Sequence, residues 1–439
     1  MRMSAAPLTR QSVLAQAVPI MAANIATPLV GLVDVVVVGR TGDTSDIAAI
    51  ALGTLIFNAL FWSLGFLRMG STALTAQAEG AGDESELRAT LVRAGGLGLA
   101  FGLAFIVFQL PLRELGLWVF SGGEAVEGGA GRYFSARIWG APAALAGYAV
   151  YGWLIGLSRT GLALTLQIVL NLTNAGLSVL FVFGFDWGLA GVGAASALAQ
   201  WVHLAAAGAI VMVVLKPRPA ARLTHLFAAA PLRRLLSVNR DIFLRTVALI
   251  AGFYWFNEAS LREGEAVLAG NAILLQFISL SAFFLDAFAH VTEAVVGKAA
   301  GRKDWTGLMH ALRLTSEQAL AFAIALSLIL WVFGGTFVDL LTTDPQAREM
   351  ARRFLPFCAL VPVAGVASWQ LDGLMIGTTQ GPLMRNAMIA SLLIYVALDF
   401  ALRPALGGTG LWLAFLAYYV ARAVTLLAGW PGLRRQFAT

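Results

Sequence analysis

Charge is what this sequence has least of. Asp, Glu, Lys and Arg make up 12% of the 439 residues, 59% are hydrophobic, and the mean hydropathy is +0.78. That balance exceeds what a water-soluble core requires and marks an integral membrane protein. Cysteine is nearly absent, and Cys358 alone excludes an intrachain disulfide. The four histidines, His203, His225, His290 and His310, are too scattered for a metal site, and there is no zinc motif or catalytic triad. The glycine-rich run GGEAVEGGAG at 122–131 lacks the lysine and the strand–helix setting of a phosphate cradle, and reads as a flexible outer connector. Nothing therefore supports a membrane-embedded enzyme or a bound cofactor. Stretches such as 204–215 show no alternation of apolar and polar residues, which argues against a closed β-barrel.

What the chain has is a series of apolar runs, each near the roughly 20 residues that span about 30 Å of hydrocarbon. Spans are expected at 12–38, 47–77, 89–111, 133–157, 162–184, 188–215, 242–261, 266–297, 308–335, 352–377, 386–402 and 409–431. The fold class is thus an all-α membrane protein of about twelve helices. The first run is too long for a signal peptide's apolar core, and reads as a retained helix. Arg88, Arg159, the cluster Lys216, Arg218, Arg222, Arg233, Arg234 and Arg240, then Lys298, Arg302, Lys303, Arg385, Arg434 and Arg435 fall on one side. The positive-inside rule makes that side cytoplasmic, with both termini inside. The net charge of +6 then reflects topology and anionic lipid headgroups, with no need for a nucleic-acid partner.

The chain also repeats itself. GWLIGLSR at 152–159 matches GLMIGTTQ at 373–380, QAEGAG at 77–82 matches VGKAAG at 296–301, and GLAG at 188–191 echoes GGTG at 407–410. Three landmarks recurring in order imply two homologous halves. These are expected as an N-terminal lobe 1–215 and a C-terminal lobe 241–439 of six helices each, joined by a basic linker 216–240 containing Pro217, Pro219 and Pro231. Repeats of one orientation place the pseudo-two-fold axis along the membrane normal, with a cavity between the lobes.

Five stretches carry a resemblance: VDVVVVGRTG (33–42), LRMGSTALTAQAEGAGD (67–83), NRDIFLR (239–245), LDAFAHVTEAVVGKA (285–299) and LDGLMIGTTQGPLMRNAM (371–388). In order and over nearly the whole chain, they resemble multidrug and toxic compound extrusion (MATE) transporters, and more narrowly the DinF-like branch. The resemblance implies a V-shaped, two-lobed antiporter of the bacterial inner membrane, acting as a monomer. Such an antiporter expels amphipathic, often cationic small molecules by alternating access, driven by inward proton or sodium flow.

Asp34 stands out within LVDVVVVGR at 32–40, because intramembrane carboxylates are rare and costly and usually face a cavity or bundle interior. Its bland reading is a hydrogen-bonded residue near the outer end of the first helix. The family resemblance implies a coupling or substrate-binding role. The family's fifth helix carries an asparagine followed four residues later by an aspartate; here Asn174 fits, but Ser178 occupies the acidic position. Asn174 and Ser178 share a helix face, and Ser196 can join them around Asp34. All three also suit plain helix–helix hydrogen bonding. Pro19 sits where related transporters are thought to bend the first helix, and so is a candidate hinge.

A second group lies on the eighth span, where Asp286, His290 and Glu293 follow i, i+4, i+7 spacing. They form either a proton or cation site or a packing network. Asp372 is expected to face the same interior, with Glu258 towards the outer end of the seventh span. A sodium-coupled branch of the family uses acids on its seventh and tenth helices, but Asp372 is out of register with the latter, so protons are the first expectation and sodium the second. Arg68 reads as the one deep cation, which counts against the further alternative of a lipid-linked oligosaccharide flippase. Gly152 with Gly156 and Gly373 with Gly377 read as sites of close helix packing.

Overall fold

The computed structural model describes residues 8–40, 43–218, 226 and 228–437. Thr41, Gly42, Pro219, Arg222 and His225 lie outside the described residues. Every regular element is a helix, and among the described residues there is no strand.

The chain forms two compact units, Ala22–Leu236 and the combination of Met1–Met21 with Ser237–Thr439. The first holds most of α1 (Arg10–Val38), then α2 (Thr44–Ser63), α3 (Phe66–Ala81), α4 (Glu84–Val107), α5 (Gln109–Val119), α6 (Glu124–Arg137), α7 (Ala141–Gly156), α8 (Thr160–Val179) and α9 (Gly188–Leu215). The second holds most of α10 (Ala229–Arg262), then α11 (Glu265–Gly301), α12 (Trp305–Leu341), α13 (Pro345–Gly377), α14 (Gly381–Leu406), α15 (Gly408–Leu427) and α16 (Trp430–Arg435). The unit boundary falls inside α1, so the first turns of that helix belong with the C-terminal residues. Arg10 is tied there by a 2.7 Å ion pair to Glu317 of α12.

Among the described residues, eleven helical stretches are long and apolar enough to cross a membrane. The expected span 242–261 is not among them; it lies in α10, where Arg245, Asn257 and Glu258 interrupt the apolar residues. Large apolar side chains such as Leu172, Val213, Val332, Leu340 and Leu393 point outward. Helices with apolar outer faces suit hydrocarbon, where all backbone hydrogen bonds must be made internally.

Three sequence expectations need correction. The run 122–131 is not a flexible connector, because α6 begins at Glu124. A Cβ on Gly129 would lie 2.7 Å from the Ala49 Cβ and 2.9 Å from Leu189, so this glycine lets α6 close onto α2 and α9, and tertiary packing overrides its poor helix propensity. The linker 216–240 becomes helical from Ala229, because α10 begins well before its apolar part. The second span is broken at Leu64–Gly65 into α2 and α3.

The repeat is visible in the packing. α3 packs on α7 as α11 packs on α13, α4 on α7 as α12 on α13, and α8 on α9 as α14 on α15. α7 and α13 end in the same left-handed turn: Ser158 and Thr379 have φ of 61° and 56°, and the following amides of Arg159 and Gln380 reach back to Leu154 and Met375, both at 2.8 Å. Gly82–Asp83 and Lys303–Asp304 also correspond. In each pair the first residue has positive φ and the aspartate caps the next helix. This equivalence is shifted by two residues from the match of 77–82 with 296–301.

The paired glycines hold these contacts. A Cβ on Gly152 would meet the Arg68 carbonyl oxygen at 2.2 Å, and one on Gly156 the Thr72 oxygen at 2.7 Å. In the second unit, Gly373 and Gly377 face the carbonyls of Ala289 and Glu293, both at 2.6 Å. Gly152→Ala is therefore expected to cost about 1–3 kcal/mol and to lower the unfolding temperature of detergent-solubilised protein. Gly161→Ala, whose Cβ would meet nothing within 4 Å, is expected to leave that temperature unchanged.

Candidate functional site

Asp34 is fully buried in α1. One carboxylate oxygen accepts a hydrogen bond from Ser178 Oγ of α8 at 3.2 Å, and the other accepts from Ser196 Oγ of α9 at 3.4 Å. Ser196 in turn accepts from Asn174 Nδ2 at 2.9 Å. The structure thus assembles Asp34, Asn174, Ser178 and Ser196 into one cluster. The two bonds to the carboxylate are long, and all three partners are neutral. Charge is therefore met by dipoles alone at hydrogen-bonding range, a weak arrangement for an ion withdrawn from water.

The α8 side of this cluster is the end of a polar stripe. Gln167, Asn171, Asn174 and Ser178 lie at i, i+4, i+7 and i+11 on one face. Gln167 donates to Asn171 Oδ1 at 2.9 Å, and Asn171 donates to the Ala26 carbonyl of α1 at 2.7 Å, pinning the two helices together. Just beyond Ser178, α8 widens into a π-helical turn over Leu180–Gly184, a distortion often found at functional sites. Sequence reading took Asn174 and Ser178 from this stripe and missed Gln167 and Asn171, whose spacing was the available signal.

Arg137, at the C-terminal end of α6, is a second residue that sequence reading missed. It donates to the hydroxyl of buried Tyr133, its guanidinium lies 4.7 Å from the Phe57 ring centroid, and its charge acts on Asp34.

In the other unit, Asp286, His290 and Glu293 lie along α11, with His290 and Glu293 buried and Asp286 half-buried. Asp372 of α13 has different partners. Its Oδ2 accepts from Arg245 of α10 and, at 2.8 Å, from Arg422 of α15, all three side chains being buried. Arg422 also lies against the rings of Tyr418 and Tyr419. Arg68 is therefore not the one deep cation. Arg245 and Arg422 fall near the ends of apolar runs, where an arginine ordinarily reaches for the interface, but Asp372 holds both inside. Glu258 is partly exposed and pairs with Arg262. Among the described residues no group of three or more His, Cys, Asp or Glu is placed to hold a metal ion. Pro19 lies in α1 just before Met21, where the helix passes from one unit to the other.

The sequence profile of the MatE family matches residues 19–180 and 254–401. DNA damage-inducible protein F of Escherichia coli strain K12 is 34% identical over 94% of this chain and 90% of its own length. A probable multidrug resistance protein NorM of Rhizobium meliloti is 28% identical over 95% of this chain and 91% of its own length. The fold superimposes on a crystal structure of a MATE transporter in the bent conformation with a TM-score of 0.88, 20% identity and coverage of 98% and 97% of the two chains. It matches the Vibrio cholerae MATE transporter VcmN, also in the bent form, with a TM-score of 0.84, 19% identity and coverage of 98% and 97%. A membrane-spanning helical chain with this profile and these relatives belongs to the MatE family: it is a transporter of the multidrug and toxic compound extrusion type, and not an enzyme.

Proposed function

We propose that the protein is a proton-coupled antiporter that exports amphipathic, often cationic compounds by alternating access, with Asp34 as the group that proton and substrate share. The observation that carries this reading is the environment of Asp34: a buried carboxylate whose hydrogen-bond donors are only hydroxyls, with an amide behind them. Such a group binds a proton or an organic cation readily and in alternation, because neither has to displace a tight ion pair. A sodium ion, by contrast, needs several oxygen ligands held in a cage. Asn174, Ser178 and Ser196 orient the carboxylate, and Pro19 lets α1 bend when its charge is lost. The protein is assigned to the bacterial inner membrane as a monomer among lipids, with both termini cytoplasmic, no nucleic-acid partner, and H+ rather than any bound cofactor as the second species.

In sodium-free liposomes, a pH gradient acidic on the outer face is expected to drive export of a lipophilic cation. The sodium-coupled reading draws on the ionisable row Asp286, His290 and Glu293. It prevails if only a sodium gradient supports transport and Asp34→Asn leaves that transport untouched. The flippase alternative needs free cations for a pyrophosphate, and Arg245 and Arg422 are already engaged by Asp372.

A further inference from the structure

Arg137 makes no hydrogen bond to the Asp34 carboxylate, yet its charge acts there. Its guanidinium lies 4.7 Å from the Phe57 ring centroid and 5.4 Å from that of Tyr133, a geometry that holds a cation by its face-on attraction to the rings. Tyr133, whose hydroxyl accepts from Arg137, is itself closely packed: it is fully buried, and its ring fills the space a Cβ on Gly53 would need, 2.5 Å away. Val37 and Val38, one turn after Asp34 on α1, pack into the same apolar cluster as Phe57 and Tyr133. The neutral polar groups at this corner are Thr54 of α2, Tyr133 of α6, Asn174 and Ser178 of α8, and Ser196 of α9, and Tyr148 of α7 lies under the charge of both Arg137 and Arg68 of α3. Among the described residues, Asp34 and Arg137 are not hydrogen-bonded to each other: the carboxylate takes the two serine hydroxyls and the guanidinium takes the Tyr133 hydroxyl.

We propose that Arg137 is a positioning residue for exchange: a fixed cation that ionised Asp34 masks, and that proton uptake by Asp34 unmasks to drive a cationic substrate out. The inference rests on the reading of Asp34 as the shared site. With Asp34 ionised the Arg137 charge is offset, and a substrate cation meets the carboxylate. Once a carboxylate oxygen takes a proton, attraction is lost and the guanidinium charge stands uncompensated in a poorly screening interior, so the same cation is repelled. Proton binding and cation binding become mutually exclusive more sharply than one carboxyl alone would make them.

The test is the affinity of purified protein in nanodiscs for tetraphenylphosphonium at pH 7.5 and at pH 5.5. For wild type the affinity is expected to fall on the order of ten-fold or more at acid pH. Arg137→Gln is expected to reduce that ratio at least about three-fold, and Arg137→Lys to restore it. Arg137→Met, which keeps the apolar stem against Phe57, takes the place of the glutamine variant if the latter does not fold. Phe57→Leu, which loosens the stack but leaves the charge, is expected to keep most of the wild-type ratio. An uncharged Arg137 variant that folds and shows the wild-type ratio overturns the proposal. Asp34→Asn separates the two claims. A flat pH response there, with a wild-type ratio in Arg137→Gln, overturns only the role of Arg137, whereas a wild-type ratio in Asp34→Asn overturns the reading of Asp34 itself.

Discussion

Asp34→Asn is expected to abolish proton-driven export, to below about one-hundredth of the wild-type rate, while leaving the protein at least as stable as before. Both halves follow from the same contacts. Ser178 and Ser196 are the hydroxyl donors to the carboxylate, and the Asn174 amide lies behind Ser196. An asparagine of the same size accepts one of those bonds through its carbonyl oxygen, while its amide group, in place of the other oxygen, donates to the hydroxyl there or to Asn174 Oδ1, which is buried and without a partner among the described residues. The substitution removes an ion that costs free energy to keep dry, so unfolding in detergent is not expected to become easier. What it removes functionally is the one ionisable group in the cluster. A variant that unfolds more readily would show that the cluster is mainly structural, and one that still exports in response to a pH gradient would show that coupling lies elsewhere.

Asp372→Asn is expected to behave in the opposite way, losing stability first and transport only as a consequence. Asp372 neutralises one of two buried guanidiniums, and Arg245 and Arg422 have no other acidic partner among the described residues. Without the carboxylate, two cations remain side by side in the interior of the second unit, joining α10, α13 and α15 by repulsion instead of attraction. Breaking a buried ion pair by removing one partner costs about 3–5 kcal/mol, and here two pairs share that partner. Arg245→Met is expected to be milder, because it leaves Asp372 and Arg422 as a matched pair with the Tyr418 and Tyr419 rings against the guanidinium. Thermal unfolding of the two variants tests the order. Equal destabilisation, or greater loss in Arg245→Met, would contradict the account of Asp372 as the shared counter-charge.

These two aspartates mark the reach of the sequence. Asp34 was legible because a carboxylate in LVDVVVVGR has few bland explanations, and the asparagine and serine positions on α8 came from the family resemblance, helical spacing adding only that they share a face. The glycine pairs showed the two halves and where their helices touch. The arginines did not announce themselves. Arg137, Arg245 and Arg422 each fall in or beside an apolar run at a place where a long side chain could equally well reach water. Only the third dimension shows that Tyr133 and Phe57 hold the first, and Asp372 the other two. The same limit explains α6: a run containing GGEAVEGGAG has low helix propensity, and its helix exists because Gly129 and Gly193 allow close contact with neighbouring helices, a Cβ on Gly193 falling 2.5 Å from the Tyr133 carbonyl oxygen. Spacing along one helix face held more than was taken from it, Gln167 and Asn171 included, whereas what depended on a partner brought from elsewhere in the chain was not encoded there.

The central claim is that a proton and a substrate cation compete for Asp34. It is tested most directly by counting protons when purified protein in weak buffer, near the midpoint of its acid response, is given saturating tetraphenylphosphonium. Linkage requires that a cation binding only to the ionised carboxylate expel the proton held there. The account predicts release approaching one proton per bound cation from wild type and none from Asp34→Asn. Tight binding by wild type with no proton released, or equal release by Asp34→Asn, would contradict it.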